Sequence, residues 1–262
     1  MNLFRPYRAG EPRFDARGRL LGIDRYQDLL GRSWKSYAAS GLMTLLGFLP
    51  FAAGVAFAAL SRSVLLLLGA CVLGGSIAGP SIACLYDTIL RSLRDAPGSW
   101  RQNYHRAYVQ NRREAWLPGI ATCLYLGVAV FAGLVLFVWS PSFPSGATLF
   151  LFLFSALLFF LFATLYWAQL ALFRLRGWMR LRNSLLFLLR HFWQCLGMAA
   201  LQLAWWLLTV LFAPWSLLAL PFVGCWFSLF VALFFVYKPL DRDLAIEQRI
   251  AAAYPEQTPR YN

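Results

Sequence analysis

The stretch "GACVLGGSIAGPSIACLYDTILRSLRD", Gly69 to Asp95, begins as membrane helix and ends as charged surface. Its first half is built from small residues. Gly75 and Gly79 stand in GxxxG spacing with Ala70, Gly74 and Ala78 alongside, a pattern that lets two helix backbones approach closely in lipid. A six-helix chain must bury its own faces first, so this seam is expected to pack within the chain rather than between two copies. The second half places Asp87 in an apolar run. A charged Asp at the centre of a spanning helix costs about 2.5 to 3.5 kcal/mol, so it needs a partner or a nearby boundary. Arg91 lies four residues on, on the same helical face and in the favourable acid-first order. The pair is expected to mark the aqueous end of this span, with Asp87 also reaching the basic segment beyond it through Arg101 or Arg106.

The 262-residue chain is 60% hydrophobic and 13% charged, with a mean hydropathy of +0.58. These values lie outside the range of an ordinary soluble domain. Apolar stretches at about 37–60, 64–90, 116–139, 148–173, 192–212 and 217–237 are each long enough to cross a hydrocarbon core about 30 Å thick. The fold class is therefore all-α, a polytopic bundle of six transmembrane helices with amphipathic connecting helices. Residues 1–36 form a basic leader with room for a short amphipathic helix, 37–237 the membrane domain, and 238–262 a tail. Gly79-Pro80 is expected to bend the second span, and a tight Pro-containing turn separates the last two.

Orientation follows from the cations. Of the 24 Lys and Arg residues, all but Arg62 lie in the leader, the tail or the two segments that join spans two to three and four to five. Basic residues flanking spans are retained in the cytoplasm, so both termini are expected there, in a bacterial plasma membrane. The same rule accounts for the net charge of +13 without nucleic acid, for which no recognition motif is present. Cys71, Cys84, Cys123, Cys195 and Cys225 all fall in apolar spans without CxxC spacing and read as buried thiols. With only His105 and His191 as histidines, and no triad or phosphate-cradling loop, the sequence points to no enzyme, no metal site and no cofactor.

The segment Ala96 to Trp116 wound as a helix gathers Trp100, Tyr104, Ala107, Tyr108, Asn111 and Ala115 on one face, with Arg101, His105, Arg106, Arg112 and Arg113 around the other. Ser99 is positioned to cap it. The aromatic stripe suits the headgroup level or the bundle, and the guanidinium groups suit anionic headgroups or a partner's carboxylates. After span four, Phe173 to Gln194 repeats the arrangement of a basic turn leading into a partly amphipathic helix.

"FLPFAAG" (Phe48 to Gly54) followed by "AGPSIACLYDTILRSLRDAPGSWRQNYHRAYVQNRREAWLPG" (Ala78 to Gly119) resembles the YesL-like family of bacterial integral membrane proteins. Gly79, Pro80, Ala83, Leu85, Tyr86, Arg94, Asp95, Gly98, Trp100, Arg101, Tyr104, Tyr108 and Asn111 occupy the motif positions, with tyrosines in place of the usual phenylalanines. "RNSLLFLLRHF" (Arg182 to Phe192) is similar to the family's second motif through Asn183 and His191. The extra length between Pro50 and Gly79 departs from the family spacing. The resemblance implies a plasma-membrane protein associated with carbohydrate-uptake systems, with transporter subunits as partners. Three function classes follow: an accessory or scaffolding protein, which leads; a small solute transporter or channel; and a membrane enzyme. Asp87, Gln169 and Gln202 are the polar residues within spans that a transport pathway would use.

Overall fold

The computed structural model describes residues 19–253, so the first half of the leader and the end of the tail lie outside the described residues. All regular structure among them is helical apart from a single bridge residue: α1 Gly22–Leu60, α2 Val64–Leu93, α3 Trp100–Leu134, α4 Gly146–Leu172, α5 Gly177–Arg190, α6 Phe192–Leu211, α7 Trp215–Ala219, α8 Cys225–Leu244 and α9 Ile246–Ala253. A π-helical turn at Val135–Trp139 extends α3, and another at Leu220–Gly224 joins α7 to α8. Six of these units are long and apolar enough to cross a membrane. The chain is thus a multi-pass membrane protein in contact with lipid.

Several helices exceed the membrane. The 39 residues of α1 rise about 58 Å at 1.5 Å each, nearly twice the hydrocarbon core. Its first turns, 22–36, take up the second half of the basic leader and run without a break into span one. Likewise, Trp100 to Ala115 forms the opening turns of α3 instead of a separate connecting helix. The segment after span four does fold as a connecting helix, α5, which meets α6 at a break at His191. Ser63 caps α2 by accepting from Leu66 N, and Ser145 caps α4 by accepting from Thr148 N. Ser99 holds the N-cap position of α3 without a side-chain bond.

At the centre stands α2. The apolar window of α2 is 56% buried within the bundle against 11% for α3, which places α3 on the outside. The small residues explain how. A Cβ on Gly79 would fall 2.3 Å from Ala115 O, and one on Gly119 would fall 2.2 Å from Gly75 O. Backbone meets backbone along this seam, as the GxxxG spacing predicts, and the partner is α3 of the same chain. On the opposite side Gly74 abuts the backbone of Phe51 and Gly54 meets Ala70, so α1 seats equally close. Helix α2 passes through Pro80 as a continuous helix. α4, α6 and α8 complete the bundle, with α4 and α8 against α2 and α8 closing onto α1.

Gly79→Leu is expected to abolish most folded monomer in detergent, because a side chain driven into backbone exceeds ordinary overpacking costs of about 1 to 3 kcal/mol. Size-exclusion yield checks this. An intact monomer would place the seam between copies instead.

Candidate functional site

Polar groups concentrate at one end of the bundle, where α1 begins, α2 ends, α3 begins and α8 ends. Asp87 and Arg91 are both buried there, with Arg91 Nε donating to Asp87 Oδ2 at 2.7 Å. The carboxylate is taken up within its own helix, and its field also reaches buried Arg94. Arg101, the first candidate for a contact from Asp87, is exposed and makes no bond among the described residues; Arg106 is half-buried. Tyr86 stacks on Trp167 of α4 at 6.4 Å, joining the motif to the second half of the bundle.

The aromatic stripe of α3 faces inward. Trp100 Nε1 donates to Ser40 Oγ at 2.7 Å, Tyr104 packs against Trp100, and Ala107 and Ala115 are buried. Asn111 is half-buried, while Tyr108 is 39% exposed at the edge of the stripe. His105, Arg112 and Arg113 face outward. In α5 Asn183 is half-buried, and His191 Nε2 lies 2.9 Å from Asp243 Oδ2, while Arg190 contacts the other oxygen, Oδ1, at 3.2 Å. The second motif therefore ties the α5–α6 junction to the end of α8.

Two networks go beyond the residues singled out from sequence. Along α1, Ser33, Tyr37, Ser40 and Thr44 form a hydroxyl stripe facing α2: Tyr37 OH donates to Ser92 Oγ at 2.6 Å, Ser40 and Thr88 hydroxyls lie 3.0 Å apart, and Thr44 Oγ1 donates to Ser81 O at 3.2 Å. Spacings of three and four along the first span are the signal that could have revealed it. The other network centres on Asp95, which sits in a left-handed turn at φ 57°. Its carboxylate receives Arg25 Nη2 at 2.7 Å, Arg19 Nε at 3.2 Å and Arg32. Arg19 also reaches Glu247 Oε1 at 2.7 Å, which accepts from Tyr237 OH at 3.0 Å. The segment before α1, the α2–α3 turn and α9 are held by this one carboxylate and its neighbour.

Within the spans, Gln202 Nε2 donates to Thr164 at 2.9 Å and Gln169 Nε2 to Ser184 at 2.8 Å. With Asp87 paired to Arg91, all three polar residues that a transport route would need bond a neighbour, and only Gln169 Oε1 is left buried without a partner among the described residues. Four of the cysteines are buried and Cys225 is half-buried, all as free thiols. Among the described residues, His, Cys, Asp and Glu gather nowhere in a group of three that could hold a metal ion.

Burial would raise the Asp95 carboxyl, but the Arg25 and Arg32 guanidiniums outweigh it and hold the group below its usual range. A depressed folded value contributes stability above the unfolded value of about 3.9 and loses it as pH falls through the folded one. Asp95→Asn is expected to lower the thermal midpoint at pH 7 and to bring it closer to the wild-type value as pH falls below about 4. A constant difference across that window in a melting series would contradict this. Asp87→Asn should cost more, on the order of 3 kcal/mol, because it weakens the compensation of a buried guanidinium. Denaturant titration in detergent measures it.

Compared with known proteins, the chain has no match: no family model, no curated protein and no solved structure.

Proposed function

We propose that the chain is a non-enzymatic accessory or scaffolding protein of a bacterial plasma membrane, with both termini in the cytoplasm and the arginine-rich end as its working face. The observation that carries this reading is the contrast between a closed interior and an open cationic exterior. Asp87, Gln169 and Gln202 are each bonded to neighbours inside the bundle. Outside, Arg101, Arg112 and Arg113 project from the first turns of α3 and make no bonds among the described residues, with His105 and Val109 exposed between them. A rigid helix backed by α2 and showing cations around a short apolar strip fits an acidic surface on a membrane partner better than it fits a solute.

The positive-inside rule supports the orientation. The uncharged loop 140–145 lies at the opposite end, where Arg62 stands 5.2 Å over the Trp139 ring. The motif residues from Gly79 to Asn111, with Asn183 and His191, support a YesL-like reading and, with it, subunits of a carbohydrate-uptake transporter as the partner class. The competing reading, a solute transporter or channel in its own right, draws on the buried amides of Gln169 and Gln202.

Purified chain reconstituted in liposomes is expected to give no sugar or ion flux above empty vesicles. A photo-crosslinker replacing Val109 or Arg112 in native membranes should yield one discrete protein adduct, absent when it replaces lipid-facing Phe57. Flux by the chain alone would reverse the ranking of the two readings.

A further inference from the structure

A long groove separates α3 from α4, although the two helices are consecutive. It encloses about 1040 Å³. At its closed end Tyr125 stacks on Phe159 with ring centroids 4.1 Å apart, and the Tyr125 hydroxyl lies 3.1 Å from Ser155 Oγ. Its floor is Trp167, whose Nε1 donates to Thr122 at 3.2 Å. Its walls are apolar, and exposed Leu117, Ala121 and Leu158 leave it open toward lipid. From Arg113 to Tyr125 the groove follows α3 for about 18 Å at 1.5 Å per residue. That is close to the ~15 Å hydrocarbon depth of one leaflet.

The other end is cationic. Arg113, Arg174 and Arg176 line the mouth and are exposed. Beneath them Arg180 is only 2% exposed; one of its Nη atoms donates to Glu114, but its buried Nε–H has no partner among the described residues. Helix α5, 14 residues long, starts in this mouth at Gly177, with no side chain capping its first turn and no acidic residue in it. Its uncapped amides and dipole add to the positive field. Four arginines and a helix N-terminus face a single carboxylate there. Trp116, half-exposed beside Arg113, marks the headgroup level.

We propose that this groove is a binding site for an anionic phospholipid, with one acyl chain lying between α3 and α4 up to Tyr125 and the phosphate held at the mouth by Arg113, Arg174, Arg176 and the opening turn of α5. The combination is selective. An apolar slot alone would take any lipid tail, and a surface arginine cluster alone would attract any anion; the two joined at leaflet depth require both parts in one molecule. Only Arg113 is shared with the partner-facing turns of α3; Ala121, Arg174 and Arg176 lie outside them, so variants at these positions test the site independently of the accessory role.

The test is native mass spectrometry of the delipidated full chain after adding dioleoyl phosphatidylglycerol, dioleoyl phosphatidylcholine or inorganic phosphate. Phosphatidylglycerol is expected to remain bound at one molecule per chain, with phosphatidylcholine far weaker and phosphate unable to displace it. Arg174→Gln with Arg176→Gln, both exposed positions, should weaken retention about thirtyfold, since each headgroup cation contributes about a fivefold factor. Ala121→Trp, which fills the slot, should abolish it while leaving the arginines in place. Equal retention of the two lipids, or retention unchanged in the double arginine variant, would overturn the headgroup assignment. Full displacement by phosphate would overturn the role of the acyl slot.

Discussion

Close backbone contact along α2 sets the geometry of the whole bundle. Lipid offers no hydrophobic drive between helices, so association must come from van der Waals contact and interhelical hydrogen bonds. Gly75 and Gly79 against Gly119 and Ala115, and Gly74 and Gly54 on the other side, bring α3 and α1 to distances at which no side chain fits between. Only at this range can Trp100 of α3 donate to Ser40 of α1 and the hydroxyl stripe of α1 bond the end of α2. Small residues on one helix thereby set the position of polar groups on three.

The polar network that follows lies almost wholly at the arginine-rich end. Water and snorkelling ease the cost of charges near a boundary, and pairing removes most of what remains. Asp87 and Arg91 satisfy each other across one helical turn, while Asp95 collects guanidinium groups from three places in sequence. A left-handed turn at Asp95 lets its carboxylate face α1 instead of following the helix. At the opposite end the described residues form no comparable network and are held by aromatic packing, as at Phe131 and Trp139.

Peripheral placement of α3 has a second effect. Because α3 is seated on α2 from Ala115 to Gly127, its backbone follows α2, and the space between it and α4 is a groove instead of core. A tight α3–α4 hairpin would have closed over Trp167 and left the basic turn 173–176 without a cavity below it. The arginines of that turn and the apolar slot share one location for this geometric reason.

Much of the architecture was legible in the chain itself. Hydropathy marks the spans because the hydrocarbon core has a fixed thickness, the GxxxG spacing marks the seam because only glycine allows backbone contact, and acid followed by base at four residues marks the Asp87–Arg91 pair because helical geometry is fixed. The same periodicity gathers Trp100, Tyr104 and Ala115 on one face, while packing turns that face onto the bundle instead of the headgroups. What each face meets is set by the packing of the helices. Nothing local tells Asp95 that Arg19, Arg25 and Arg32 lie beside it, nor His191 that Asp243 does, since those contacts join residues more than fifty positions apart. The groove is also a product of packing: Leu117 and Phe159 belong to different spans, and nothing in either span places them on one groove. Periodicity is a property of one helix, whereas partners and cavities belong to the arrangement of several.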